Sequence, residues 1–125
     1  MSAIHYDLGS DQILTLTIDM PGQSANTMNA DFRAGLTDTV ARVKQDLDNI
    51  KGIIITSAKK TFFAGGDLKE LHKVTRDDAQ AFEDMVNGLK AEMRALETCG
   101  KPVVAAINGT ALGGGMGIAT IIERV

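Results

Sequence analysis

Val103-Val104-Ala105-Ala106-Ile107-Asn108-Gly109-Thr110-Ala111-Leu112-Gly113-Gly114-Gly115 decides how this chain is read. Its first five residues are continuously apolar, the pattern of a strand buried on both faces of a parallel sheet. Asn108 to Gly115 is a glycine-rich turn, and Met116 to Ile122 starts a helix. Glycine at a strand-to-helix turn takes backbone conformations closed to other residues and lets a ligand come close to the amides.

The same device occurs upstream. Gly52-Ile53-Ile54-Ile55-Thr56 reads as a second short buried strand. A loop carries it into Phe62-Phe63-Ala64-Gly65-Gly66-Asp67 and then into a short helix around Leu68 to His72. Either turn alone reads as punctuation. Two in the same setting can present two converging N–H donors to a carbonyl oxygen gaining negative charge, each donor worth ~10²–10³ in rate. Nucleotide binding fits poorly. Gly113, Gly115 and Gly117 lack the dinucleotide spacing, and no Lys-Ser/Thr follows Gly109 to Gly114.

Further out, Ile4 to Leu8 and Gln12 to Ile18 read as strands joined at Gly9-Ser10-Asp11. Met20 to Ser24 is a loop by composition. Asn29 is a good N-cap for a helix carrying Phe32, Leu36, Val40, Val43 and Leu47 and ending near Asp48. Thr75 or Asp77 caps a longer helix with Phe82, Met85, Val86, Leu89, Met93 and Leu96 on one face. Gly100-Lys101-Pro102 ends it. The order β-β-α-β-α-α-β-α implies α/β layering with right-handed crossovers in a single domain, residues 1–125.

Composition sets the outer bounds. Apolar residues at 44% and charged residues at 23% suit a globular domain, and a net charge of -3 gives no reason to expect nucleic acid. A single cysteine, Cys99, rules out an internal disulfide framework. With no basic-then-apolar leader and no apolar stretch of spanning length, no membrane is expected and the location expected is cytoplasmic. His5 and His72 lack partners at metal-ligand spacing, so no metal is expected. Cys99 reads as a packing residue, Asp67 as a helix cap, and Lys59 and Lys60 as loop lysines or phosphate contacts. The Met85/Met93 stripe reads as core more than as acyl-chain lining.

Phe62 to Glu70 and Lys101 to Gly115 resemble the two oxyanion segments of the enoyl-CoA hydratase/isomerase (crotonase) superfamily. The spacing between them and the Pro21-Gly22 and Ala25-Asn26 loop are similar too, so the resemblance runs to about Met116. It is nearest the hydratase portion of bacterial multifunctional fatty-acid oxidation proteins. The resemblance implies an α/β fold with a crotonase-like spiral ββα core, in trimers or hexamers. It implies that the Gly66 and Gly114 amides hold the thioester oxyanion. It also implies that Ala25, Ala64, Gly65, Gly66, Asp67, Leu68, Lys69 and Gly114 lie along an acyl-CoA, coenzyme A being part of the substrate and no separate cofactor being needed. The implied reaction is hydration of a 2-enoyl-CoA; isomerase and thioester-hydrolase relatives share the hole.

Two departures bear on turnover. Gly117 stands where hydratases usually carry glutamate, and the second family glutamate lies beyond Val125. Glu123, six helical residues on, faces elsewhere. The chain therefore reads as the N-terminal portion of the family fold. Natural termination, truncation and an altered C-terminus look alike from sequence. A non-catalytic acyl-CoA-binding or assembly module is the other reading.

Overall fold

The computed structural model describes residues 2–119. The element order is β1 (Ile4–Leu8), β2 (Ile13–Ile18), α1 (Ala30–Asp46), β3 (Gly52–Ser57), α2 (Leu68–Leu71), α3 (Ala79–Glu97), β4 (Val103–Ala105) and α4 (Gly114–Ala119). Single 3-10 turns close α1 at Leu47–Asn49 and precede α3 at Arg76–Asp78. The β-β-α-β-α-α-β-α order expected from sequence is the observed one.

The four strands form one sheet in the order β1-β2-β3-β4. β1 and β2 are an antiparallel hairpin, while β3 and β4 add in parallel across the helical crossovers. Gln12 belongs to the hairpin turn, not to β2. Its φ of 64° is left-handed, and its N–H donates to the Gly9 carbonyl at 2.9 Å.

Register places Leu14, Ile53 and Val103 in one row across the sheet, and Leu16, Ile55 and Ala105 in the next. These rows meet Leu36, Val40 and Val43 of α1, Leu96 of α3 and Ile118 of α4 in the core. The alternation of β2, with Leu14, Leu16 and Ile18 buried, reflects the period of two that puts every second side chain on the helix-covered face. Phe32 of α1 packs edge-on against Phe63, their ring centres 5.0 Å apart.

β4 departs from expectation. It ends at Ala105, short of Ile107, and only one of its faces is covered: Val103 is buried and Val104 is 50% exposed. Val104 lies in the row of Thr15 and Ile54, on the face opposite the helices. The strand stops because the chain turns over the loop after β3. There the Asn108 side-chain amide donates to the carbonyls of Ser57 and Lys59 at 3.1 and 2.9 Å.

Helix starts follow their caps. Asn29 Oδ1 accepts from the Phe32 N–H at 2.9 Å, as its position before α1 predicts. The Thr75 N–H and hydroxyl both donate to Asp78 Oδ2, and the Asp78 N–H to the Thr75 carbonyl, so Thr75, not Asp77, opens the 3-10 turn that leads into α3. α4 begins at Gly114, two residues before the expected start, and the last part of that expected helix, from Thr120, lies outside the described residues.

Candidate active site

Three extended segments converge at the ends of β2, β3 and β4. The first is held by Asn26, which is fully buried. Its Oδ1 accepts from the Met20 N–H at 3.1 Å, and its Nδ2 donates to the Ser57 hydroxyl at 2.8 Å and to the carbonyls of Ile18 and Phe62 at 3.1 and 3.3 Å. One side chain thus ties the 20–28 loop to the ends of two strands and to the first glycine segment. Such a buried amide is tolerated because its polar atoms are satisfied.

Backbone bonds complete the junction. The Ala64 N–H donates to the Asn26 carbonyl, and the Met28 N–H to the Gly65 carbonyl, both at 2.8 Å. On the other side, the Phe62 N–H reaches the Thr110 carbonyl at 2.9 Å, and the Leu112 N–H reaches the Phe63 carbonyl at 3.0 Å. Met28 pairs in parallel with Gly66, and Phe63 with Ala111. The two glycine segments read from sequence are therefore brought side by side, with the 26–28 loop on the flank.

Glycine is required here by space. Gly65, at φ +93°, has room for a β-carbon only 3.2 Å from the Leu112 carbonyl oxygen, and Gly113 is also left-handed, at φ +52°. A β-carbon at Gly109 would overlap the Lys60 carbonyl oxygen. Among the described residues, neither the Gly66 N–H nor the Gly114 N–H meets an acceptor. Gly66 is exposed and Gly114 half-buried, whereas Gly65 is buried. Met28 links the pair: its backbone runs beside Gly66, and its methyl lies 3.1 Å from where a Gly114 β-carbon would stand.

Next to Gly66 opens an apolar cleft of about 310 Å³, walled by Met28, Leu71, Val74, Phe82, Val86 and Leu89, with Asp67, Glu70 and Arg33 also reaching it. The methionine stripe of α3 is split by this geometry. Met85 lines the cleft, while Met93 packs on the core. Reading that stripe chiefly as core holds for its C-terminal half alone: among the described residues of α3 only Leu96 is buried, and Phe82, Met85, Val86 and Leu89 line the cleft.

Asp67 caps α2, its Oδ1 accepting from the N–H groups of Lys69 and Glu70 at 2.8 and 3.4 Å. Leu68 and Lys69 are exposed and line a shallow hollow with His72 and Lys73, none of which lines the cleft. Ala25 is half-buried in the loop before Asn26. Gly117 is half-buried on α4, and a β-carbon there would stand 3.4 Å from the Met93 methyl. Lys59 is committed to Asp19 at 2.8 Å, with His5 on the other Asp19 oxygen at 3.3 Å. Those contacts hold the Asp19 carboxyl below its usual range, Lys59 being the larger cause.

Glu70 was not singled out by sequence reasoning as a site residue, nor were Arg33 and Met28. Their signal is long-range, since Glu70 meets Arg33 and the α1 N-terminus only in the fold. Among the described residues no group of three or more His, Cys, Asp or Glu is placed to hold a metal ion, and no helix is long and apolar enough to cross a membrane.

The sequence over residues 9–123 matches the family model described as enoyl-CoA hydratase/isomerase. The chain belongs to the enoyl-CoA hydratase/isomerase family. It is 39% identical over 116 residues to the fatty acid oxidation complex subunit alpha of Shewanella halifaxensis, covering 91% of this chain and 16% of that one. Among solved structures, an enoyl-CoA hydratase from Bacillus anthracis superposes with a TM-score of 0.82 at 26% identity, over 98% of this chain and 46% of that one. One from Mycobacterium smegmatis, at 22% identity and TM-score 0.86, shares the fold. The crotonase-like α/β fold expected from sequence is the observed one. The chain thus spans about one-sixth of the curated family relatives it matches and under half of the solved family members.

Proposed function

We propose that this chain binds the thioester of a fatty acyl-CoA, its carbonyl oxygen between the Gly66 and Gly114 N–H groups and its acyl chain in the cleft beside Met28. The observation that carries this reading is a pair of amides, Gly66 and Gly114, that meet no acceptor among the described residues and sit on adjoining glycine turns, with Gly66 lining an apolar cleft. Donors fixed by a rigid backbone meet a developing oxyanion without reorganisation, which is why each is worth ~10²–10³ in rate. An apolar cavity with a few convergent polar groups is the ordinary form of a small-molecule site.

The reaction this arrangement serves is hydration of a 2-enoyl-CoA. Hydrogen bonds to the thioester oxygen draw electron density from the conjugated double bond, so that C3 becomes electrophilic and accepts water. The relatives' names, fatty acid oxidation complex subunit alpha, support a substrate of fatty-acid origin. Water must then be positioned and deprotonated, work for carboxylates worth ~10²–10⁴ each. Position 117 supplies none. That glycine favours a second reading, in which the chain binds acyl-CoA or partner subunits without turnover.

A thermal melt of the protein with and without excess 2-enoyl-CoA tests the binding. A ligand at about 100 times its Kd adds about 2.7 kcal/mol, a rise on the order of 10 °C for a domain of this size. A cooperative melt whose midpoint does not move with ligand overturns the proposal.

A further inference from the structure

α2 is held to the rest of the molecule by very little apolar burial. It has four residues, none buried, and Leu68 is 79% exposed. What ties it down is Glu70. One carboxylate oxygen accepts from the Ala30 N–H at 3.1 Å, and the other meets the Arg33 guanidinium at 3.1 Å. Ala30 is the first residue of α1, whose open N–H groups need acceptors and favour negative charge. Asn29 serves one of them from the cap position just before the helix, and Glu70 serves another from forty residues away.

Two ties therefore join the same two stretches of chain. The backbone of Gly66 runs alongside Met28, and four residues later Glu70 grips Ala30 and Arg33. Between them Asp67 caps α2, and its own N–H reaches the Met28 carbonyl at a long 3.4 Å. The peptide that carries the Gly66 N–H is anchored through its own carbonyl, Gly65 C=O accepting from the Met28 N–H at 2.8 Å, and beyond the weak Asp67 bond the Glu70 grip on Ala30 and Arg33 keeps the two stretches side by side.

Resting on the acyl-CoA reading above, we propose that Glu70 and Arg33 are positioning residues that aim the Gly66 N–H at the thioester oxygen. Both line the cleft, with side chains 40% and 25% exposed. An acyl chain filling the cleft removes water from around the pair, and an ion pair strengthens as its surroundings become less polar. Substrate binding then tightens the grip that orients the donor. With the cleft open to solvent the pair is an ordinary partly exposed one and contributes little to the stability of the whole domain.

The test reads the carbonyl itself. Infrared difference spectra of a 2-enoyl-CoA carrying carbon-13 at the thioester carbonyl, bound to the whole chain, report polarisation as a shift of the C=O band to lower frequency. In wild type the band shifts. In Glu70→Ala the shift of the bound ligand falls by half or more, and in Arg33→Met it falls as well, with melting midpoints within a few degrees of wild type. Glu70→Gln recovers part of the shift, since an amide oxygen still accepts from Ala30. Arg94→Ala, which breaks a surface ion pair with Glu97 on α3, keeps all of it. A merely structural role would lower the amount bound and leave the band of the bound fraction in place. A wild-type band position in both Glu70→Ala and Arg33→Met overturns the positioning role and leaves the acyl-CoA reading standing. No shift in wild type overturns both.

Discussion

Gly115 lies so close against Phe63 that a β-carbon on residue 115 would stand 2.7 Å from the Phe63 carbonyl oxygen and 2.8 Å from its β-carbon. The first obstacle is backbone, and that backbone is already bonded to Leu112. It cannot step aside without breaking the junction between the two glycine segments. Gly115→Ala should therefore cost about 2–3 kcal/mol, the scale of overpacking in a closed site. The loss should appear in urea unfolding as a lowered midpoint at unchanged slope. Because Gly114 is the adjoining residue, acyl-CoA binding should weaken by more than the stability loss explains. Wild-type stability in Gly115→Ala contradicts the packing described here.

Asn26 predicts a larger effect from a residue that needs touch no substrate. Removing its side chain takes from the Met20 N–H and the Phe62 carbonyl the partner each has in a fully buried place, while the Ser57 hydroxyl and the Ile18 carbonyl lose one bond and keep others. Each buried group left unsatisfied costs about 1–3 kcal/mol, although water entering the space recovers part. Asn26→Ala should lose about 3 kcal/mol or more, a large share of the 5–15 kcal/mol that holds a typical domain. Asn26→Asp should be no better, since a carboxylate faces two carbonyl oxygens where the amide donated. Calorimetry on both variants checks this. A melt within two degrees of wild type for Asn26→Ala would show the loop to be held by something else.

What sequence could and could not show follows the range of each interaction. The Asn29 and Asp67 caps are legible because the side chain bonds amides two or three residues on, and residue type alone sets that geometry. The two glycine segments are legible because strand, turn and helix start adjoin in the chain. Glu70 gave no such signal: its partners Ala30 and Arg33 approach only after two strands and a crossover are in place. Val104 was misread for a different reason. Five apolar residues in a row fit a strand buried on both faces, yet whether a second layer covers the far face is a property of the assembly of elements, and here that face is open. The α3 stripe has one helical period throughout, and nothing in the period marks where core gives way to cleft.

Asp19 gives a dependence on acid with a definite sign. Its carboxyl is held below its ordinary value of 3.8 by the hydrogen bond from Lys59 and, secondarily, by that from His5. A folded value below the unfolded one means stability that is fully present above the unfolded value and lost as pH falls through the folded one. Wild type should therefore lose stability from about pH 4 downward, and Lys59→Met should flatten that part of the profile by returning Asp19 toward its unfolded behaviour. Carboxyl carbon NMR titration of Asp19 in the two proteins measures the change directly. An Asp19 midpoint that does not rise in Lys59→Met removes the ion pair as the cause.

Gly117→Glu tests whether one carboxylate is enough. A side chain at 117 starts 3.4 Å from the Met93 methyl, a flexible end that can turn aside, and replacing glycine in a helix gains up to about 1 kcal/mol. The variant should fold with a midpoint near or above that of wild type. Turnover is another matter, since hydration needs one group to take a proton from water and another to deliver one to C2, and positioned groups of this kind contribute ~10²–10⁴ each. The family resemblance places the second carboxylate beyond Val125. Hydration of a 2-enoyl-CoA by Gly117→Glu, followed by loss of the conjugated thioester absorbance, should stay at least about 100-fold below that of a hydratase with both carboxylates. Binding by the same variant should match wild type in the thermal-shift assay, because the donors at Gly66 and Gly114 are untouched. Full hydratase activity from this single substitution would mean that a group within these 125 residues already does the second carboxylate's work.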